Sequence, residues 1–231
     1  MNILGIDTCF ESCSVAVGSG FETAHPRIWE RTEPMATGQA ERLMPMIQDA
    51  MTEAGLAFAE LDRIAVSVGP GTFTGMRIGV AAARALSLAL GIPIAVFTSL
   101  EVMAMNPAFR EQDCCCEGVA IAIDARRGQV YFQPFTPDWP PQCAEPRIVS
   151  IAEAAAAGIR VFAGSGGALV AEAARQAGRE ARAVLPTLAP NMAHALPLAA
   201  TRSPVAGPPR PLYLRPPDAK PQDGKSLARM P

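Results

Sequence analysis

Two aspartates, Asp7 and Asp124, each close a short apolar run and are followed by a polar break and a second apolar run: ILGID before SCSVAV, and VAIAID before QVYF. A carboxylate at the carboxyl end of a first strand can hold a magnesium–phosphate group, because α/β sheets gather ligands there. Facing each other across a cleft, Asp7 and Asp124 would grip a metal-bound nucleotide, with Thr8 beside them. The plainer alternative is that each aspartate caps its own hairpin turn. Between them lies Gly69-Pro70-Gly71-Thr72-Phe73-Thr74-Gly75. Glycines let a backbone approach an anion and a following helix N-terminus attracts it, which makes Gly71 and Thr72 candidate contacts. The segment is neither GxxxxGK[ST] nor GxGxxG: no lysine follows, and Thr74 stands where a glycine is needed. A tight turn with Thr74 as helix N-cap accounts for the same residues. A second glycine turn, Gly164-Ser165-Gly166-Gly167, offers Gly164 as a further phosphate or adenosine contact.

Other chemistry is thin. His25 and His194 are the only histidines and form neither HxxxH nor HExxH, so a histidine-pair metal site is absent. No GxSxG elbow occurs, and a protease has no nucleophile–base pair to work with. The six cysteines include the run Cys114–Cys116 but no CxxC pair, which reads as reduced thiols and a cytoplasmic protein. Lys+Arg 20 against Asp+Glu 22 leaves a net charge of −2, a poor match for a surface that grips nucleic acid unaided. The uncharged apolar run 85–100 contains Gly91 and Pro93 and is short of the roughly 20 residues a membrane span needs. The start, MNILGIDT, lacks the basic segment of a signal peptide.

The elements that must position these residues follow from periodicity. Asn2–Ile6, Ser12–Val17, a Pro26-interrupted stretch between Phe21 and Arg31, Arg63–Val68 and Pro93–Phe97 read as strands, with Gly18 and Gly20 making a turn. A helix from Gly38 to Gly55 carries Ala40, Leu43, Met44, Ile47, Ala50, Met51 and Ala54 on one face. Another runs from about Met76 to Leu90, so strand–helix–strand forms a parallel crossover. The second half offers strands at Val119–Ile123, Gln129–Phe135 and Ile159–Ala163, and helices at Ile151–Ala157, Ala168–Gln176 and Asn191–Ala200. The chain beyond Thr201 is rich in proline and reads as extended, with Leu212-Tyr213-Leu214-Arg215 as an anchor.

The two Ile-Asp hairpins imply a duplicated α/β plan: a first lobe over 1–102, a smaller lobe over 103–210, a hinge near 103–117, and a tail over 211–231 that partly returns to the first lobe. In the 76–90 helix, Gly75, Gly79 and Ala83 recur every four residues, a spacing that admits a second helix or the chain's own sheet at close range. Arg77 and Arg84 lie on one side of that helix.

ILGIDTCFESCSVAV, GPGTFTGMRIGVAAARAL, IDARRGQVYF and PLYLRPPDAK together resemble the TsaB (YeaZ) family, and the likeness runs through nearly the whole chain. The resemblance implies an actin/Hsp70-like fold of two ribonuclease-H-like lobes. It implies a non-catalytic subunit that pairs with and activates the transferase TsaD, works with the ATPase TsaE, and forms a homodimer when alone. The product is threonylcarbamoyladenosine 3′ of the tRNA anticodon, so tRNA is met through the complex. TsaD-like relatives hold a metal with a histidine pair, which this chain lacks. The resemblance also places the dimerisation surface on the two first-lobe helices, here Leu43, Ile47, Gly75, Met76, Gly79, Val80 and Ala83. Where relatives often carry a histidine, this chain has Gln39. ATP or ADP with magnesium at the complex interface is the ligand such a cleft would take, and a small-molecule kinase or ATPase of the same fold is the competing function.

Overall fold

The computed structural model describes residues 1–111, 118–138 and 143–215, so Cys114–Cys116, the last part of the expected hinge (112–117) and the tail beyond Arg215 lie outside the described residues. Each Ile-Asp segment opens a five-stranded mixed sheet. In the first, β1 (Ile3–Asp7) pairs antiparallel with β2 (Ser12–Ser19), and β2 with β3 (Arg27–Pro34). On its other side β1 runs parallel to β4 (Arg63–Ser67), which pairs with β5 (Ile94–Phe97), giving the order β3-β2-β1-β4-β5. The second sheet, from β6 (Val119–Asp124), β7 (Gln129–Phe135), β8 (Arg147–Ser150), β9 (Val161–Ala163) and β10 (Arg182–Val184), repeats that order as β8-β7-β6-β9-β10. Two copies of one strand order with the same parallel and antiparallel pairings make a duplicated ribonuclease-H-like, two-lobed actin/Hsp70-like fold.

Seven helices among the described residues clothe these sheets: α1 (Gln39–Ala54), α2 (Phe73–Leu90), α3 (Ser99–Ala104), α4 (Ala108–Glu111), α5 (Ile151–Ala155), α6 (Gly167–Gln176) and α7 (Met192–Thr201). α1 lays Leu43, Met46, Ile47, Ala50, Met51 and Ala54 onto the first sheet. Ala40 and Met44, expected on that face, point outward, and Met46 replaces them. α1 ends at Gly55 and α2 at Gly91, each in the left-handed conformation glycine permits.

Several boundaries differ from the sequence expectation. Gly18 is a strand residue paired with Ile3 and Ile28; its lack of a side chain makes room for Phe21 and Leu196, while Gly20 makes the turn. β3 begins after Pro26, not across it, as a ring without an N–H requires of a ladder. Thr72, not Thr74, caps α2: its hydroxyl accepts from the Gly75 N–H at 3.2 Å. The short β8, β10 and α3 were not legible. The lobe boundary also moves. α7 lies across the first sheet, packing Met192, Ala193, Ala195, Leu196 and Ala199 against Ile3, Ala16, Ala65 and Ala95, so the chain after 191 belongs with the first lobe instead of the second.

Candidate functional site

The GPGTFTG turn and the β1–β2 hairpin are pressed together backbone to backbone. The Thr72 N–H donates to the Cys9 carbonyl at 2.6 Å, and the Thr8 hydroxyl donates to the Gly75 carbonyl at 2.6 Å. A Cβ on Gly71 would stand 2.1 Å from the Cys9 oxygen, and one on Gly75 2.0 Å from the Thr8 oxygen. One turn further, a Cβ on Gly79 would meet the Thr8 hydroxyl at 2.7 Å. Gly71, Gly75 and Gly79 therefore serve contact with the chain's own β1–β2 hairpin, closing on it more tightly than any side chain would allow.

Asp7 precedes these two hairpin residues, Thr8 and Cys9. Its side chain is buried; Oδ1 accepts from the Cys9 N–H at 3.0 Å, and Oδ2 has no hydrogen-bond partner among the described residues. Burial pushes its pKa up to about 6, against the opposing pull of the Ser67 hydroxyl and of Cys9. Burial likewise raises the neighbouring Cys9 thiol, and the Asp7 charge adds to it.

Between the lobes lies a cleft of about 590 Å³, lined by Phe10, Glu11, Ser12, Gly71, Thr72, Met103, Ile123, Asp124, Ala125, Arg126, Tyr131, Ser165, Pro186, Thr187, Leu188, Ala189 and Arg215. Of the sequence candidates, the structure brings Gly71, Thr72 and Asp124 to this cleft. Asp7 and Thr8 are buried beneath its first-lobe wall, and Gly164 lies behind Ser165 against Ile123 and Ala122. The expected pair of facing aspartates is not formed, because Asp7 is buried and does not line the cleft while Asp124 does. The second glycine turn is no phosphate cradle either: the N–H groups of Gly164, Gly166 and Gly167 donate to the carbonyls of Leu185, Ala122 and Gly164. Asp124 caps its own turn, accepting the Arg126 N–H at 2.7 Å, as the plainer reading held. Of the two carboxylates expected to hold a magnesium–phosphate group, only Asp124 lines the cleft. Sequence reasoning missed Arg126, Arg215, Ser165 and Tyr131; the ARRG turn after Asp124 was the available signal for Arg126.

The residues expected at a subunit interface are covered by the chain itself. Leu43, Ile47, Val80 and Ala83 lie in the first core or against it, and Gly75, Met76 and Gly79 face β1 and the turn. Their packing partner is the first sheet. On the opposite face of α2, Phe73, Thr74, Arg77, Ala81, Arg84, Ala85, Leu88 and Ala89 are exposed among the described residues, Leu88 at 86%. Ala40, Met44 and Pro45 of α1 are exposed as well. Leu88 and Ala85 also line a hollow of about 460 Å³ closed by Pro93, Val205, Pro208 and Pro209. α2 is long and apolar enough to cross a membrane by length and composition; its inner stripe, however, is packed on β1 and β4.

The sequence profile of the family described as TsaD, tRNA N6-adenosine threonylcarbamoyltransferase, matches residues 33–137. The chain is 37% identical over 139 residues to the tRNA threonylcarbamoyladenosine biosynthesis protein TsaB of Escherichia coli, covering 60% of this chain and 56% of that protein. It thus spans little more than half the length of that curated relative. Two solved structures extend the likeness. One, from Pseudomonas aeruginosa and described as similar to peptidase YeaZ, has TM-score 0.77 and 31% identity over 93% of this chain and 99% of that one. The other, YeaZ from Pseudomonas aeruginosa, has TM-score 0.72 and 30% identity over 87% and 91%.

Proposed function

The chain belongs to the TsaB (YeaZ) family, and on that footing we propose that it serves tRNA threonylcarbamoyladenosine biosynthesis as a non-catalytic subunit that docks and activates a TsaD-type transferase. The observation that carries this reading is the exposed outer face of α2, where Phe73, Ala81, Ala85 and Leu88 stand among Arg77 and Arg84, with Ala40, Met44 and Pro45 of α1 exposed as well. Large exposed apolar patches on folded domains are characteristic of partner surfaces. Ala81 and Ala85 at the centre of the face let a partner helix approach closely, while Phe73 and Leu88 stand at its two ends as anchors. A second copy of the chain occupies the same face when the transferase is absent, and TsaE joins the assembled pair. tRNA is held by the partners, in keeping with the net charge of −2.

The non-catalytic part of the reading rests on Asp7. A kinase or ATPase of this fold needs that carboxylate in the cleft, and here it is buried and does not line the cleft.

The test is co-purification and light scattering of the full chain with a TsaD-type subunit. Burying one leucine contributes about 1.5–3 kcal/mol, so Leu88→Glu should weaken pairing by at least about tenfold while leaving the fold intact. Unchanged pairing by both Leu88→Glu and Ala81→Glu would overturn the assignment.

A further inference from the structure

We infer that the segment Leu212–Arg215 is a strap that couples the outer face of α2 to the opening of the cleft between the lobes. The inference builds on the docking face proposed above and adds what a partner seated there would change.

The strap is tied at both ends. In the first lobe, the Leu212 N–H donates to the Val68 carbonyl at 2.7 Å, where β4 runs into the glycine turn. Next along, Tyr213 meets α2: Arg77 Nε donates to its hydroxyl at 2.7 Å, its ring centroid stands 5.2 Å from that of Phe73, and the Arg77 guanidinium lies 3.6 Å over the Phe73 ring. Phe73 is 44% exposed and Tyr213 43%, so this stack belongs to the outer face. Two residues later, Arg215 crosses to the second lobe and donates to the Gln129 side chain at 2.8 Å, lining the cleft as it does so.

The far anchor sits on a turn that its own residues do not favour. The Ala125 N–H donates to the Gln129 carbonyl, and the Gln129 N–H to the Arg126 carbonyl. Arg126 and Arg127 hold φ of 63° and 56° there, the left-handed region that side chains other than glycine rarely occupy. Such a turn keeps its shape through its partners, so it is the element in the cleft wall most ready to change when a partner is lost. It also carries Asp124 and Arg126, both cleft residues.

A body seated on α2 immobilises Phe73 and Arg77, hence Tyr213, hence Arg215 only two residues away, and so the 125–129 turn. By reciprocity, whatever fills the cleft and fixes that turn tightens docking on α2.

The test uses the full chain and amide hydrogen exchange at Ala125 and Gln129, whose N–H groups close the turn. Without any partner, Phe73→Ala should speed exchange at both by at least about fivefold, the lower end of coupling between distinct sites. In an Arg215→Ala background the same substitution should add nothing. Tyr213→Phe, which keeps the ring and removes the hydroxyl, should give a smaller increase. Equal effects of Phe73→Ala in the two backgrounds, or none in either, overturn the strap. These arms need no partner and so stand apart from the docking reading. A TsaD-type subunit is then added: docking should slow exchange at both amides in the natural chain and not in Arg215→Ala. A bound partner with no slowing overturns the coupling. Absence of binding overturns the docking reading and leaves the strap to be decided by the partner-free arms.

Discussion

Replacing Asp7 by asparagine should change how stability depends on pH. The carboxyl is buried, accepts one N–H bond through Oδ1 and has no partner at Oδ2 among the described residues. Its pKa is pushed from 3.8 up to about 6, foremost by burial. Below pH 3.8 the group is neutral in both folded and unfolded chains and carries no penalty. As pH rises from there, the unfolded chain gives up its proton first, so stability falls. Above about pH 6 both states are charged and the folded state bears the whole cost. At 1.36 kcal/mol per pKa unit, that cost is about 3 kcal/mol. In Asp7→Asn the cost is absent at every pH. The new amide can donate to the Ser67 hydroxyl; if it does not, a constant penalty of about 1–3 kcal/mol is added. The stability of Asp7→Asn relative to the natural chain should therefore rise by about 3 kcal/mol between pH 3.5 and pH 7, whatever its absolute value. Urea unfolding followed by circular dichroism at several pH values reads this directly. A difference that stays flat to within about 1 kcal/mol over that range refutes the buried-carboxylate argument. If Asp7 is not catalytic, the variant also keeps its pairing with a TsaD-type subunit, whereas a working kinase would lose activity.

Gly79→Val and Leu88→Glu should separate the two faces of α2. The first drives a Cβ to 2.7 Å from the Thr8 hydroxyl and should cost about 1–3 kcal/mol, lowering the melting temperature by several degrees through the fold itself. The second should leave the melting temperature within about 2 °C and weaken pairing by at least about tenfold, and the reverse pattern would refute the facing. Arg202→Ala should also melt early. Arg202 reaches Glu101 at 2.9 Å and the Val96 carbonyl at 2.8 Å, and its guanidinium lies 4.0 Å over the Phe97 ring. Glu101, 12% exposed, would be left without its cation, at a cost of about 3 kcal/mol; Glu101→Gln in the same background should recover part of it, as calorimetry would show.

The strands and helices of both lobes were largely legible because their signals are local. ILGID and VAIAID alternate or run apolar and end in aspartate, and Gly55 and Gly91 follow helical patterns that need a left-handed residue. Three-residue β10 and four-residue β8 were not legible, since Arg-Ala-Val and Arg-Ile-Val-Ser hold too few apolar residues to show an alternation. α7 was seen as a helix but assigned to the wrong lobe. Its apolar residues would suit either sheet, and only the return of the chain to Ile3 and Ala16 selects the first.

The site was half legible. Residue types marked Asp7, Asp124 and the glycine turn as unusual. The amino-acid sequence by itself determined the duplicated fold, its family, and that α2 carries small residues every four positions. What covers that stripe was decided only in three dimensions. α2 is apolar nearly all round, so periodicity names a close-packed face without saying whether sheet or partner fills it. The same holds for Asp7: a carboxylate at a strand end is a ligand or a buried cap according to how the chain packs around it. That packing includes contacts between residues more than sixty positions apart, which no local pattern records.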